Sequence, residues 1–582
     1  MATEHLLEEF PPVSTAEWEA AIVRDLKGAD YEKKLIWRTE EGLAVKPYYR
    51  AEDLQGLACA DAAPGEFPYR RSTRTEAGWR IREVIDAPNV ESANQAARAA
   101  IAAGAEEVAF RAPAVAIAAE LKRLVANLGE IPLHFERADE QTIRLLLGWL
   151  AEDRISAQVS TGYDALANVE FAVEVIQSAP AGFAPFTIRG DVLEEAGATA
   201  VEEVGFALAA GVDFLAAMQE RGVAVDRAST AIEFCFATGA NYFFQIAKLR
   251  AFRMVWARAV ESFGGTPDCA RARIAARTSR WNKTLYDPHV NILRATTEAM
   301  AAVLGGADSV TVAPFDECYR QPDEASRRLA RNTQLLLRHE ALLGNVADAA
   351  GGSYYVETIT DFLAREGWKR MQELEARGGY RKALAAGEIA HVLDPRLAAR
   401  EKAVALRRRV LIGTNQFANA AERVLGRVDE RRMKESRRGA RAFEELRLRS
   451  ERYAASGGKL PRVILAEIGD AKMRAARSNF AANFIACAGF EITTMRFKKV
   501  EEIAEAEGDL IVFCSSDAEY AAQVAELRQS LKKQGRETSL IVAGFPADAE
   551  ALAAAGVADF IHVRSNAIEV LTKWQERLGV KG

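Results

Sequence analysis

Trp79–Asp86 reads WRIREVID, Glu91–Ala103 reads ESANQAARAAIAA and Glu107–Pro113 reads EVAFRAP. A short run rich in β-branched residues, an alanine-rich segment of helix length and a second short run make one strand–helix–strand unit. The same rhythm continues outward. Strand-like runs recur at Ile131–Ala138, Ile155–Thr161, Phe186–Asp191, Thr230–Ala237, Ala272–Ser279 and Ser309–Phe315, with helix-length segments such as Ala114–Leu128 and Asn241–Phe263 between them. Repeated right-handed βα crossovers of this length close into a (β/α)8 TIM barrel, the fold this region predicts.

Beyond the barrel, Thr358–Arg377, Ala398–Arg409 and Arg431–Arg452 have helical composition. The last is dense in arginine (Arg431, Arg432, Arg437, Arg438, Arg441), which raises the question of a phosphate-binding face. Glu435, Glu444, Glu445 and Glu451 interleave with those arginines, so a solvated helix is the expectation. Ser456–Pro461 (SGGKLP) is a break, after which strand-like runs restart at Arg462–Ile468, Glu491–Phe497, Leu510–Cys514, Ser539–Gly544 and Asp559–Val563. Five such units predict a flavodoxin-like, doubly wound sheet whose ligand site lies beyond the strands' carboxyl ends. The expected division is an amino-terminal arm (1–63), the barrel (64–395), a helical linker (396–458) and the second domain (459–582).

Composition narrows the function. The chain has 582 residues, too many for one small core, and its 26 Phe and 8 Trp supply ample apolar material for folding. A net charge of −6 gives no general attraction to nucleic acid or to an anionic bilayer, and neither is an expected partner. The acidic start Met1–Glu9 is unlike a secretory signal, and no apolar run reaches about 18 residues, so a cytoplasmic location is expected. The six cysteines form no C-x-x-C pair and read as buried thiols.

The usual chemical signatures are missing. The six histidines (His5, His134, His289, His339, His391, His562) show no H-x-x-x-H spacing, so no metal site is signalled. No G-x-S-x-G, P-loop or G-x-G-x-x-G sequence stands at a strand-to-helix turn. His134, on a barrel strand without an identifiable partner, reads as a core residue rather than a general base. Arg82, Glu83, Arg111, Glu136, Arg189 and Glu233 fall on barrel strands. Alternation turns some of them to the axis, where an ion-pair network that plugs the barrel is expected before an acid–base pair.

Several segments resemble the cobalamin-dependent acyl-CoA mutases, and methylmalonyl-CoA mutase in particular. They are Pro64–Tyr69 (PGEFPY), Glu194–Ala200 (EEAGATA), Ile246–Arg253 (IAKLRAFR), Phe315–Glu317 (FDE), Ala330–Leu335 (ARNTQL) and Ala350–Glu357 (AGGSYYVE). The resemblance covers nearly the whole chain, and it implies a barrel followed by a cobalamin-binding-type domain. It also exposes departures. Where the family's W-x-I-R-Q-Y pattern has tyrosine, this chain has Val84; a family Tyr-His pair aligns with Asp191 and Val192; and H-C-Q-T-S-G aligns with Ala275–Arg280, leaving Ala275 and Arg277 for histidine and glutamine. The family's D-x-H-x-x-G cobalamin motif falls on Lys472, Arg474 and Arg477. Arginine offers no lone pair to cobalt, and lysine cannot accept the bond that would orient a histidine. Val542–Pro546 and Val563–Ser565 replace glycine turns that make room for the cofactor's nucleotide tail.

These losses, together with an arm carrying Ser14–Trp18 (STAEW), Asp25–Gly28 (DLKG) and Lys33–Trp37 (KKLIW), resemble the small, non-catalytic subunit of heterodimeric methylmalonyl-CoA mutases. The resemblance implies a large-subunit partner that binds adenosylcobalamin and substrate, with no catalytic, cofactor-binding or metal residue in this chain. Trp18, Leu35 and Trp37 would anchor the arm on that partner, or fold back on the chain's own barrel. Two rival readings remain: an active mutase for another acyl-CoA, and a self-associating CoA-binding sensor without a catalytic partner.

Overall fold

The structure is a computed structural model that describes residues 12–57, 61–152, 158–180, 182–435 and 437–581. The acidic start, Cys59 and the first residues of the Ile155–Thr161 run lie outside the described residues. Strands β1 (Trp37–Arg38) and β2 (Ala44–Val45) form a small antiparallel hairpin. The main sheet follows: β3 (Arg80–Asp86), β4 (Glu107–Ala112), β5 (Leu133–Phe135), β6 (Val159–Thr161), β7 (Phe183–Ala184), β8 (Phe186–Arg189), β9 (Ile232–Thr238), β10 (Ile274–Thr278) and β11 (Ser309–Thr311).

Its order is β7-β6-β5-β4-β3-β11-β10-β9-β8, all parallel, so the sheet curls until its two edges are consecutive segments of chain. Only Pro185 separates β7 from β8. Proline has no N–H to give to a ladder, so the strand breaks there, one half pairing with β6 and the other with β9. The result is a nearly closed parallel barrel. Each of the expected barrel strands has its counterpart, but Asp191 stands in the first turn of the short helix Gly190–Glu195 and Thr230 ends the helix Val225–Thr230, rather than lying on strands.

Three long helices, Ala200–Glu220, Tyr242–Ser262 and Tyr354–Glu375, pack together outside the strands. Missing side chains permit the approach: a Cβ on Gly367 would lie 2.4 Å from Val204 Cγ1, and one on Gly205 would lie 2.6 Å from Arg370 Cβ. Buried charges pin these helices to the amino-terminal side of the barrel. Glu357 accepts from Arg70 at 2.7 Å and from Arg250 at 2.8 Å, and Arg250 also meets Asp348 at 2.9 Å.

The connector corrects the expectation of one solvated basic helix. It is two helices, Glu430–Glu435 and Arg441–Ala455, broken near Gly439, whose N–H donates to the Trp281 carbonyl at 2.8 Å and whose Cβ position would lie 3.0 Å from the Trp281 indole. Its charges form a buried seam with the barrel. Arg438 and Glu444 pair at 2.6 Å with neither exposed; Glu444 also accepts from the Leu285 N–H at 2.7 Å; Glu451 accepts from the Tyr286 hydroxyl at 2.7 Å; and the Arg447 guanidinium sits 3.7 Å from the centre of the Tyr286 ring.

The second sheet comprises β12 (Arg462–Glu467), β13 (Glu491–Arg496), β14 (Leu510–Cys514), β15 (Ser539–Ala543) and β16 (Asp559–Ile561). It is parallel throughout, in the order β13-β12-β14-β15-β16. Alternation buries both faces: Val463, Leu465, Val512 and Ile541 join one apolar cluster with Phe484 and Trp574, while Ile464, Ala466, Phe513 and Val542 join another with Val524 and Leu527.

The arm keeps one foot on the barrel. Val45 is buried, with Leu43 and Tyr49 beside it against the main core. Helix Thr15–Asp25 buries none of its residues, and Trp18 and Trp37 are each 49% exposed.

Candidate functional site

The barrel axis is filled by charge. At one level Arg82 lies between Glu107 at 2.6 Å and Glu233 at 2.9 Å, with Arg80 reaching Glu107 at 3.3 Å. Nearer the strands' carboxyl ends, Arg111 bonds Glu136 at 2.7 Å and Glu317 at 2.6 Å, while Asp191 takes both Arg189, at 2.7 Å, and Arg277, at 3.4 Å. Glu83 turns the other way and pairs with Arg331 at 2.5 Å. Burial pulls the Arg82 pKa down, but Glu107 and Glu233 outweigh it and raise it above the ordinary value. Burial likewise pushes Glu317 up, but Arg111, Arg280 and Arg277 hold its carboxyl at about 2. Groups so strongly committed to their charged forms make a strut and exchange no protons near neutral pH.

His134 belongs to this strut. Its Nδ1 lies 2.8 Å from Ser160 Oγ, and Glu233 stands at 3.7 Å. Burial, helped by the Arg82 cation, pulls its pKa from the ordinary 6.5 to about 3, so the imidazole is neutral in the fold. The unfolded chain binds this proton near pH 6.5 and the folded chain does not. The stability contribution is therefore complete above pH 6.5 and declines as pH falls toward 3, by about 1.4 kcal/mol per pH unit. Urea midpoints at pH 6.5 and pH 5 are expected to show that decline in the unmodified chain and a shallower one in His134→Gln.

The residues singled out at the barrel mouth divide by environment. Val84 borders a small cavity of 30 Å³ together with Arg82, Arg111 and Arg277, so an apolar side chain and cations stand where the family pattern has a phenol. Ala275 and Arg277 share one face of β10 and both are buried. Asp191 is buried within its arginine pair, whereas its neighbour Val192 is 51% exposed. The structure thus gathers Val84, Arg277 and Asp191 around one end of the axis and leaves Val192 on the surface.

The carboxyl end of the second sheet was tested against a cobalamin. Lys472, Arg474 and Arg477 lie in the first two turns of helix Ala471–Ile485, whose start is capped by Asp470 accepting from the Met473 N–H at 2.8 Å. Lys472 is exposed. Arg474 folds back to donate to the Gly469 carbonyl at 2.9 Å, and Arg477 pairs with Asp517 at 2.8 Å. The Arg477 guanidinium also covers Gly544, where a Cβ would lie 3.0 Å from it.

Glu519 closes the next gap, accepting from Ser515 Oγ at 2.8 Å and Ser516 Oγ at 2.6 Å; hydrogen bonds from Ser516, which outweigh the slight burial, hold its carboxyl at about 2. Phe545 packs against His562 with ring centres 5.0 Å apart and planes tilted by 50°. A guanidinium has no lone pair for cobalt, and side chains occupy the turns that glycine would keep open, so the residues present do not fit the group. Among the described residues no three His, Cys, Asp or Glu side chains gather as a metal site.

The network at Glu519 and the Arg477 cover over Gly544 escaped sequence reasoning. The serine pair carries no signal of its own, and only packing shows which side chains fill the space beside Gly544. Conversely, the stretches that carry the resemblance hold the framework: Arg250 and Glu357 form the buried ion cluster, Lys248 pairs with Glu203 at 2.6 Å, and Gln334 accepts from the Trp79 indole at 3.0 Å.

A nearly closed parallel barrel joined to a separate parallel sheet, with family motifs in its framework, defines the class of acyl-CoA mutases. Comparison with known sequences agrees: the family described as Methylmalonyl-CoA mutase matches residues 38–178 and 148–494. This chain belongs to the methylmalonyl-CoA mutase family. It is 37% identical to the methylmalonyl-CoA mutase small subunit of Porphyromonas gingivalis over 99% of both chains. It is 31% identical to the small subunit of Streptomyces virginiae, over 99% of this chain and 98% of that one. Against the methylmalonyl-CoA mutase of Rhizobium meliloti the identity is 30%, over 69% of this chain and 63% of that one.

Proposed function

We propose that this chain is the non-catalytic small subunit of a heterodimeric methylmalonyl-CoA mutase. In this reading the barrel is a (β/α)8 TIM barrel, residues 396–458 link it to a degenerate flavodoxin-like, cobalamin-binding-type domain, and residues 1–63 are a partner-binding arm. The large subunit binds adenosylcobalamin and carries out the interconversion of (R)-methylmalonyl-CoA and succinyl-CoA, a step of cytoplasmic propionate metabolism. This chain holds that subunit in a working assembly.

The observation that carries the reading is the carboxyl end of the second sheet, where Arg474, tied to the Gly469 carbonyl, stands at the position of the family's histidine and Arg477, tied to Asp517, at that of its glycine. The filled barrel axis supports it, because Arg82, Glu107 and Glu233 meet across it as a buried ion-pair network. The whole-length likeness to chains named small subunits supports a partner of larger size. Among the described residues no helix is long and apolar enough to cross a membrane.

Native mass spectrometry of the protein taken from its source cells tests the assembly. A one-to-one complex with a larger, related chain is expected. A homodimer carrying CoA would instead establish the sensor reading and overturn this one.

A further inference from the structure

A cavity of 510 Å³ opens at the carboxyl ends of the barrel strands, under the connector helix Glu430–Glu435. Five cations border it: Arg111, Arg137, Arg280, Lys283 and Arg432. Three carboxylates oppose them, and two are already committed, Asp86 to Arg432 at 3.1 Å and Glu317 to Arg111 at 2.6 Å. The third, Glu435, is exposed on the roof. Lys283 is satisfied from outside the lining by Glu298 at 2.7 Å.

Two guanidinium groups have hydrogen-bonding capacity to spare. Arg280 has Glu195 at 3.6 Å and Glu317 at 3.7 Å, both beyond hydrogen-bond reach. Arg137 is exposed and takes part in no ion pair among the described residues. Positive charge is in surplus here: the Arg277 cation, followed by burial, lowers the Arg280 pKa below its ordinary value. A planar guanidinium with open donors matches the paired oxygens of a phosphate or carboxylate. The loops at this end of a parallel barrel are also where such folds place ligands.

We propose that this mouth cavity binds a small, multiply charged oxyanion of the phosphate or carboxylate class, held by Arg280 and Arg137. The filled axis below closes the cavity, so the anion sits in it without passing into the barrel. The residues involved are separate from those on the second sheet, and the proposal stands whether or not this chain binds cobalamin.

Titration calorimetry and thermal melting of the full-length chain test it, with sodium phosphate, sodium pyrophosphate and sodium succinate as probes at an ionic strength fixed with potassium chloride. Saturable heat and a melting temperature that climbs with concentration are expected for at least one probe. Saturation by the phosphates alone assigns a phosphate ligand, and saturation by succinate alone assigns a carboxylate. Arg280→Gln and Arg137→Gln are each expected to weaken binding about tenfold. The second variant is at an exposed position, so its fold is not at risk. Absence of saturable binding for all three probes, or equal affinity in both variants and the unmodified chain, overturns the proposal.

Discussion

Arg82→Ala is expected to destabilise the barrel by about 3–5 kcal/mol, the cost of leaving buried charge without its counter-ion. Glu107 and Glu233 are each only 2% exposed. With the guanidinium gone, Glu107 keeps Arg80 at 3.3 Å, and Glu233 keeps only a neutral imidazole at 3.7 Å. The chain has two large parallel sheets, so the measurement is a denaturant titration followed by probes from each, since one transition cannot be assumed. The loss should fall on the barrel transition. Replacing all three residues together, as Arg82→Met with Glu107→Leu and Glu233→Leu, is expected to recover most of the stability, because apolar groups of similar volume need no counter-charge. An unchanged barrel transition in Arg82→Ala would show that Glu107 and Glu233 do not depend on this guanidinium.

The second large effect concerns the arm. Trp18→Asp combined with Trp37→Asp should leave the isolated chain folded and weaken its hold on the large subunit by about 2 kcal/mol or more, roughly 30-fold in the dissociation constant. Helix Thr15–Asp25 fully buries none of its residues within this chain, and it is capped by Ser14, whose Oγ accepts from the Glu17 N–H. That leaves its outer face free for the partner contact proposed for the arm. Trp18 rests on Tyr48 at 5.5 Å and Trp37 meets Phe244 edge-on at 6.0 Å, so each indole is held in place with its outer half open. Pre-set aromatic side chains of this kind cost little entropy when a partner covers them. Surface plasmon resonance against the large subunit gives the affinity. Unchanged binding in the double variant would remove the arm from the interface.

Much of the fold was legible because strands advertise themselves by alternation. The runs around Arg82, Val108 and Phe234 needed nothing but local sequence. The strand half before Pro185, Phe183–Ala184, was missed, because two residues are too short a run to show alternation. The connector was not legible: Arg438, Glu444 and Arg447 have helical charge spacing that looks the same in solvent as in a buried seam, and only Trp281 and Tyr286, far away in sequence, decide between them. At the second sheet, the expected absence of a cobalt ligand rested on the resemblance that sets Arg474 at the family's histidine, together with the lack of a lone pair on a guanidinium. What fills the space depended on Glu519 and Arg477 meeting Ser515, Ser516 and Gly544 in three dimensions.

The most direct measurement is a titration of the purified chain, freed of every other protein, with adenosylcobalamin, followed by visible spectroscopy and by an assay for methylmalonyl-CoA isomerisation. The expected result is a spectrum identical to that of the free cofactor, no corrin retained after gel filtration, and no product. Stoichiometric retention of the corrin, or turnover by this chain alone, would contradict the assignment of the chemistry to the partner.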